Sequence, residues 1–289
     1  MADYDQAVFA TLLGALPRPP SPHDAADSAA LLAAVLREQA AAGLEPVTDG
    51  RLVGPSFSDL ATPDAAATRW QATASLTERA VKQALPGPYA FDVPVEAVIE
   101  VVAALAEAGC PLVEIEESGL ERLGDAGERA RFAKLHERLL DAPGGVHMSL
   151  SIVGGAPPGE AWQAVLELPY QSLAVDLIDG PDSWNLVTRL PGDRGVIVGV
   201  ESGRDADEPK EVLLWGAHYA ASTKGRGLAR VGLGSAGSWA NLTWEAAVRK
   251  MGLLGEAAQL ATLPPGSELA HAVDPRSISA RRAALGPDR

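Results

Sequence analysis

Apolar positions follow two alternating rhythms along the chain. Short segments that are apolar throughout or alternate with polar residues recur at Val8–Leu13, Pro46–Arg51, Ala80–Leu85 and Leu112–Glu116. They recur again at Gly145–Ser151, Ser172–Asp176, Gly195–Val200 and Ala229–Leu233. Each reads as a strand. Between them lie segments with helical spacing: Ser28–Ala42, Val95–Ala108, Asp125–Leu140, Glu160–Leu168, Asp182–Leu190, Glu208–Ala221 and Thr243–Leu260. Asp27 or Ser28, Asp125 and Thr243 are the residue types that cap helix N-termini, and Gly43 and Gly109 supply C-terminal stops. Pro55–Thr77 is the least regular stretch, so the helix due after the second strand has no clear pattern. Strand–helix alternation repeated eight times in about 250 residues predicts an α/β fold, a single-domain (β/α)8 TIM barrel. The barrel is expected over residues 1–260, with 261–289, including basic Arg276, Arg281 and Arg282, as a C-terminal extension.

In a barrel of parallel strands, catalytic groups collect at the strands' carboxyl ends. Side chains alternate along a strand, so His147, Ser149 and Ser151 share one face. That stripe is expected to face inward near the carboxyl end of its strand. Arg51, Glu116, Asp176, Glu201 and Ser235 also end or follow predicted strands. His147 and Asp176 on adjacent strands form an expected acid–base pair, the carboxylate fixing the imidazole tautomer. Glu116 and Glu117, being neighbours, point to opposite faces, and Arg51 is the natural counter-ion of the inward one or a fork for a substrate carboxylate. A structural Arg51–Glu116 pair is an equal alternative. Glu114 is expected to pair with a basic group on a helix, and Gly232, Gly234 and Gly237 read as a simple turn after the last strand in preference to the phosphate-binding loop they also resemble.

Composition narrows the partners. The formal charge of −14 on 289 residues argues against nucleic acid and anionic membrane surfaces. No apolar run reaches the roughly 20 residues that span a bilayer. The start, Met1-Ala2-Asp3-Tyr4-Asp5, lacks the pattern of a secretory signal, so a cytoplasmic location is expected. One cysteine, Cys110, excludes an internal disulfide and a Cys-rich zinc site. The expected partner is a small, carboxylate-bearing molecule, and a homo-oligomer is compatible with the sequence.

Several stretches, in order, carry a resemblance. They are Leu13-Gly14-Ala15-Leu16-Pro17, Gly43-Leu44-Glu45-Pro46-Val47-Thr48-Asp49-Gly50, Leu85-Pro86-Gly87-Pro88 and Ala108-Gly109-Cys110 with Ile115-Glu116-Glu117. His147-Met148-Ser149, the strand to Asp176, Gly199-Val200 and Val231 to Gly237 continue the set. Together they resemble the C-terminal barrel of cobalamin-independent methionine synthase, a family whose fold is a TIM barrel. The resemblance implies a zinc ion that activates a thiol, held by a histidine, two cysteines and a glutamate. Those ligands map to His147, Ser149, Ser235 and Asp176. Hydroxyls replace both thiolates, and neutral serine is a poor zinc ligand, so no zinc and no other cofactor is expected. In the amino-acid pocket Ala15 stands where the family has serine and Arg51 where it has glutamate, while the inward acid is kept as Glu116. Arg51, Ala15, Glu117, Ser149 and Ser235 are therefore the expected substrate-binding residues, with His147, Asp176 and Glu116 catalytic.

Three functions follow as alternatives. The first is a methyl or alkyl transferase, or a lyase, acting without zinc on a small anionic substrate. The second is a non-catalytic barrel serving as a binding or assembly module. The third is methyl transfer to homocysteine at an unusual site.

Overall fold

The computed structural model describes residues 7–20, 28–52, 62–142 and 144–263, the side chain of Ser28 excepted. Seven of the expected segments form strands, all parallel, in one curled sheet. They are β1 (Phe9–Thr11), β2 (Lys82–Pro86), β3 (Leu112–Ser118), β4 (His147–Val153), β5 (Ser172–Asp176), β6 (Gly195–Glu201) and β7 (Val231–Ser235). The sheet order is β1-β7-β6-β5-β4-β3-β2.

The expected second strand is the exception. Of Pro46–Arg51, only Val47 makes a ladder contact, a single parallel bridge to Val81. The segment nevertheless lies between the two edge strands. Glu45 N donates to Ala10 O at 2.9 Å, and Thr11 Oγ1 donates to Pro46 O at 2.7 Å. On the other side Val47 N donates to Ala80 O at 2.9 Å, and Lys82 N to Val47 O at 3.0 Å. Pro46 has no N–H to give, and the chain turns away at Thr48, whose backbone is held by the Gln39 side chain (2.7 and 3.0 Å).

Among the described residues eight α-helices accompany the strands: α1 (Ser28–Ala41), α2 (Pro63–Ala74), α3 (Val95–Glu107), α4 (Ala126–Leu140), α5 (Trp162–Leu166), α6 (Trp184–Arg189), α7 (Lys210–Ser222) and α8 (Trp244–Thr262). The caps at Asp125 and Thr243 form: Asp125 Oδ1 accepts from Gly127 N and Glu128 N, and Thr243 Oγ1 from Ala246 N. Asp27 lies outside the described residues, as do 53–61 and 264–289. Helix α2 arises where the sequence showed no regular pattern. Its start is nonetheless conventional, with Thr62 accepting from Ala65 N and Pro63 at the first helical position. Its apolar content is mostly alanine, so periodicity was weak, and burial of Ala66, Trp70 and Thr73 holds it to the body. Helix α8 continues two residues past the expected boundary at 260, with Ala261 buried. Among the described residues no helix is long and apolar enough to cross a membrane.

Most buried apolar residues form one core between the sheet's outer face and the helices. A second, small cluster of Leu13, Ala174 and Ile197, with Phe9 against it, marks the inner face. The glycines of β7 belong to this face rather than to a turn. A Cβ on Gly232 would lie 2.5 Å from the Phe9 ring, and one on Gly234 would lie 3.0 Å from Ile197 Cγ2. The inner face is divided. Its β6 and β7 positions are Ile197 and glycines, and β1 and β5 add Phe9, Leu13 and Ala174 but also, by the same parity, Thr11, Ser172 and Asp176, whereas β2, β3 and β4 carry most of the charges and hydroxyls.

Candidate functional site

Register assigns the inward residues. Ser151 pairs with Ala174 and Glu116 pairs with Ser151, while Glu114 pairs with Ser149. Since Ala174 is inward, so are Glu114, Glu116, Ser149 and Ser151. Glu116 lies in the carboxyl half of β3, and the Arg51 guanidinium forms an ion pair with it. Arg51 and Glu116 side chains keep 19% and 11% of their exposure, so the pair sits at the rim of the inner space. Arg51 has a positive φ of 55°, a conformation that L-residues seldom adopt. Its N–H donates to Asp49 Oδ1 at 3.0 Å, which fixes the turn that aims it inward. Burial pushes the Glu116 carboxyl above its ordinary range, and Arg51 pulls it part of the way back.

Below this pair lies a second one. Lys82 Nζ and Glu114 Oε2 are 2.8 Å apart, each side chain 2% exposed. Glu114 was expected to reach a helix. It shares the parity of Glu116 and meets Lys82 across the β2–β3 ladder instead. Glu114 Oε1, Ser149 Oγ and Ser151 Oγ are buried and have no hydrogen-bond partner among the described residues. Lys82, Glu114 and Ser151 were missed as site residues. The available signal was their inward parity with Glu116 and Ser149, two residues apart on each strand.

Asp176 ends β5 as expected, at the carboxyl side. Its Oδ1 accepts from Ile178 N at 2.9 Å and Asp179 N at 3.0 Å, and burial pushes its carboxyl up. His147 is not beside it. Strand β4 runs two residues beyond Ser151 to Val153, which makes His147 its first residue. The imidazole Nε2 lies 2.8 Å from Ser172 Oγ, at the first position of β5, four residues before Asp176. At about 3.3 Å per residue this is some 13 Å along the strand, so the expected acid–base pair does not form. Burial lowers the His147 pKa.

The other candidates are spent on structure. Glu117 faces outward, against the expectation of substrate contact. Its carboxylate accepts from Tyr89 N and Ala90 N (3.0 and 2.6 Å) and lies 3.0 Å from His136 Nε2. Ser235 Oγ accepts from Leu13 N at 2.7 Å and donates to Leu13 O at 3.0 Å, tying β7 to the end of β1. Ala15 serves through its carbonyl, which accepts from Trp239 N and Ser238 Oγ. Glu201 turns outward to Lys250 on α8 at 2.5 Å. Cys110 precedes β3 at the amino end, where burial raises its thiol to about 11. Among the described residues no three His, Cys, Asp or Glu side chains are grouped to hold a metal.

A curled sheet of parallel strands wrapped in helices defines a TIM-barrel-like α/β protein. No family model matches the chain. In sequence, 107 residues, 37% of the chain, are 29% identical to 5-methyltetrahydropteroyltriglutamate–homocysteine methyltransferase of Streptococcus pneumoniae serotype 19F. The corresponding protein of Streptococcus gordonii is 26% identical over the same length. The match spans 14% of the length of these curated relatives. In fold, a B12-independent methionine synthase from Shewanella sp. W3-18-1, solved with selenomethionine, superposes with a TM-score of 0.69 at 14% identity, covering 88% of this chain and 97% of the other. A putative vitamin-B12-independent methionine synthase from Listeria monocytogenes gives 0.67 at 13% identity, covering 88% and 98%. Sequence and fold agree: this chain resembles the cobalamin-independent methionine synthases.

Proposed function

We propose that this chain is a methionine-synthase-like enzyme, a methyl or alkyl transferase or a lyase, that acts on a small carboxylate-bearing substrate without a zinc–thiolate centre. The observation that carries this reading is the inward Arg51–Glu116 pair at the rim. Arg51 is the anion anchor, and Glu116 and Asp176 are the acid–base groups. A substrate carboxylate competes with Glu116 for the guanidinium. When Arg51 transfers to the substrate, Glu116 loses the charge that holds its carboxyl down. Burial already pushes that carboxyl up, so Glu116 takes a proton from solvent and becomes a general acid beside the bound anion. His147, at the opposite end of β4, has no part in this chemistry.

The donor set does not fit zinc. Both Ser235 hydroxyl functions are engaged by Leu13, Asp176 holds its own turn, and His147 holds Ser172. The one thiol, that of Cys110, precedes β3. We read Glu45–Val47, bonded to both edge strands, as the eighth stave of a closed (β/α)8 barrel. A net charge of −14 supports a small-molecule ligand rather than nucleic acid.

The test is a thermal-shift panel of small carboxylates on wild type and Arg51→Ala, joined to calorimetry in buffers of differing ionisation heat. Saturating carboxylate at about a hundredfold over Kd should stabilise wild type by about 2.7 kcal/mol, with proton uptake, and the variant far less. Equal responses of both proteins across the panel would refute the anchor. The same outcome would favour the second reading, a non-catalytic binding or assembly module, which the engagement of Ser235 and Asp176 by backbone also supports.

A further inference from the structure

Glu114 Oε1, Ser149 Oγ and Ser151 Oγ, three buried polar atoms on the inner face, have no hydrogen-bond partner among the described residues. The residues that carry them are at most 1% exposed. Buried hydroxyls and carboxylate oxygens are almost always paired, because leaving one unpaired costs about 1–3 kcal/mol. The three are adjacent by register, Glu114 opposite Ser149 and Glu116 opposite Ser151. They lie on the same polar side as the Arg51–Glu116 pair, and no apolar residue of the Phe9, Leu13, Ala174 and Ile197 cluster belongs to these strands. A group that enters past Arg51 meets the level of Ser151 first, then that of Glu114 and Ser149.

We propose that this polar stripe is the floor of the substrate site and recognises hydroxyl groups, so that the substrate is a short hydroxylated carboxylic acid. The proposal rests on the reading of Arg51 as the anion anchor. Three considerations select the hydroxyl. Glu114 Oε1 can only accept, so the group opposite must carry a donor. Serine hydroxyls both give and take, and a ligand hydroxyl does the same. The floor is already charge-balanced by the Lys82–Glu114 pair, and an ammonium there would stand beside the Lys82 cation without a carboxylate of its own. Glu116 and Glu114 are two residues apart, about 7 Å along the strand. That span corresponds to an acid of about four to six carbons.

Butyrate, 4-hydroxybutyrate and D-gluconate, compared by isothermal calorimetry at one ionic strength, test the floor separately from the anchor. Wild type should bind at least one hydroxylated acid about fivefold to tenfold more tightly than butyrate, the worth of about one net hydrogen bond. Ser149→Ala and Ser151→Ala are small buried changes, and either should erase that preference while leaving butyrate affinity within about twofold. Butyrate binding with no preference for either hydroxylated acid would overturn the floor and leave the anchor standing. A preference that survives in either serine variant would also overturn it. Failure of all three acids to bind would overturn the anchor and the floor together.

Discussion

Removing Lys82 should destabilise the fold strongly, and removing its partner as well should restore it. The Lys82–Glu114 pair is 2.8 Å long and almost wholly buried. At an effective dielectric near 20, two unit charges at this distance attract by about 6 kcal/mol. Taking them out of water costs several kcal/mol per ion, so the net contribution of the intact pair is near zero or unfavourable. The asymmetry appears when one member is lost. Lys82→Met leaves Glu114 buried, uncompensated and close enough to Glu116 to repel it. The expected loss is about 3–5 kcal/mol. Lys82→Met/Glu114→Met replaces both ions with apolar groups of similar length and should lie within about 1–2 kcal/mol of wild type, or above it. Urea unfolding with linear extrapolation reads both variants, the midpoint moving and the slope staying constant. A single variant that loses less than about 1 kcal/mol would refute the reasoning, since Glu114 would then have found solvent or another cation. A double variant as unstable as the single one would refute it too, because the pair would then be contributing net stability.

Further outcomes follow from the same geometry. Burial depresses the His147 pKa, so below the ordinary value of 6.5 the unfolded chain binds a proton that the native state refuses. Its contribution is present above that value and is lost as pH falls toward the depressed pKa; His147→Gln should flatten the stability profile in this window, measured by urea midpoints between pH 5 and 8. Ser235→Ala strands Leu13 N and O at the β1–β7 seam and should cost about 1–3 kcal/mol, with faster amide exchange at Leu13. Asp125→Ala removes an acceptor from two N–H groups at the start of α4 and should cost about 1 kcal/mol by thermal or chemical unfolding. Gly255→Ala should cost more than 2 kcal/mol by the same assay, because a Cβ there would lie 1.7 Å from Ala42 O, where α8 meets the end of α1.

Local patterning was enough for the order of seven strands and of every described α-helix but α2, for the caps at Asp125 and Thr243, and for the opposed directions of Glu116 and Glu117. These depend on the period of side chains and on capping chemistry, which act over a few residues. It also paired Arg51 with Glu116, because an inward acid near a rim arginine has few other partners. What it left undecided depends on where each strand begins and what lies beside it. His147 was legible as part of an inward stripe, yet its level in the sheet was set by Ile152 and Val153, which extend β4 until Gly154. Two further residues move the histidine from the expected mouth to the amino end.

Partner choice was likewise a tertiary matter. Glu114 and Lys82 are 32 residues apart, and only the β2–β3 register brings them together inside the sheet. The same holds for Ser235, whose hydroxyl meets Leu13 across 222 residues of chain. Periodicity tells which face a side chain takes, because that follows from backbone dihedrals alone. Height along the sheet, and hence which polar groups can meet, follows from register, and register is a property of neighbouring strands rather than of any one segment.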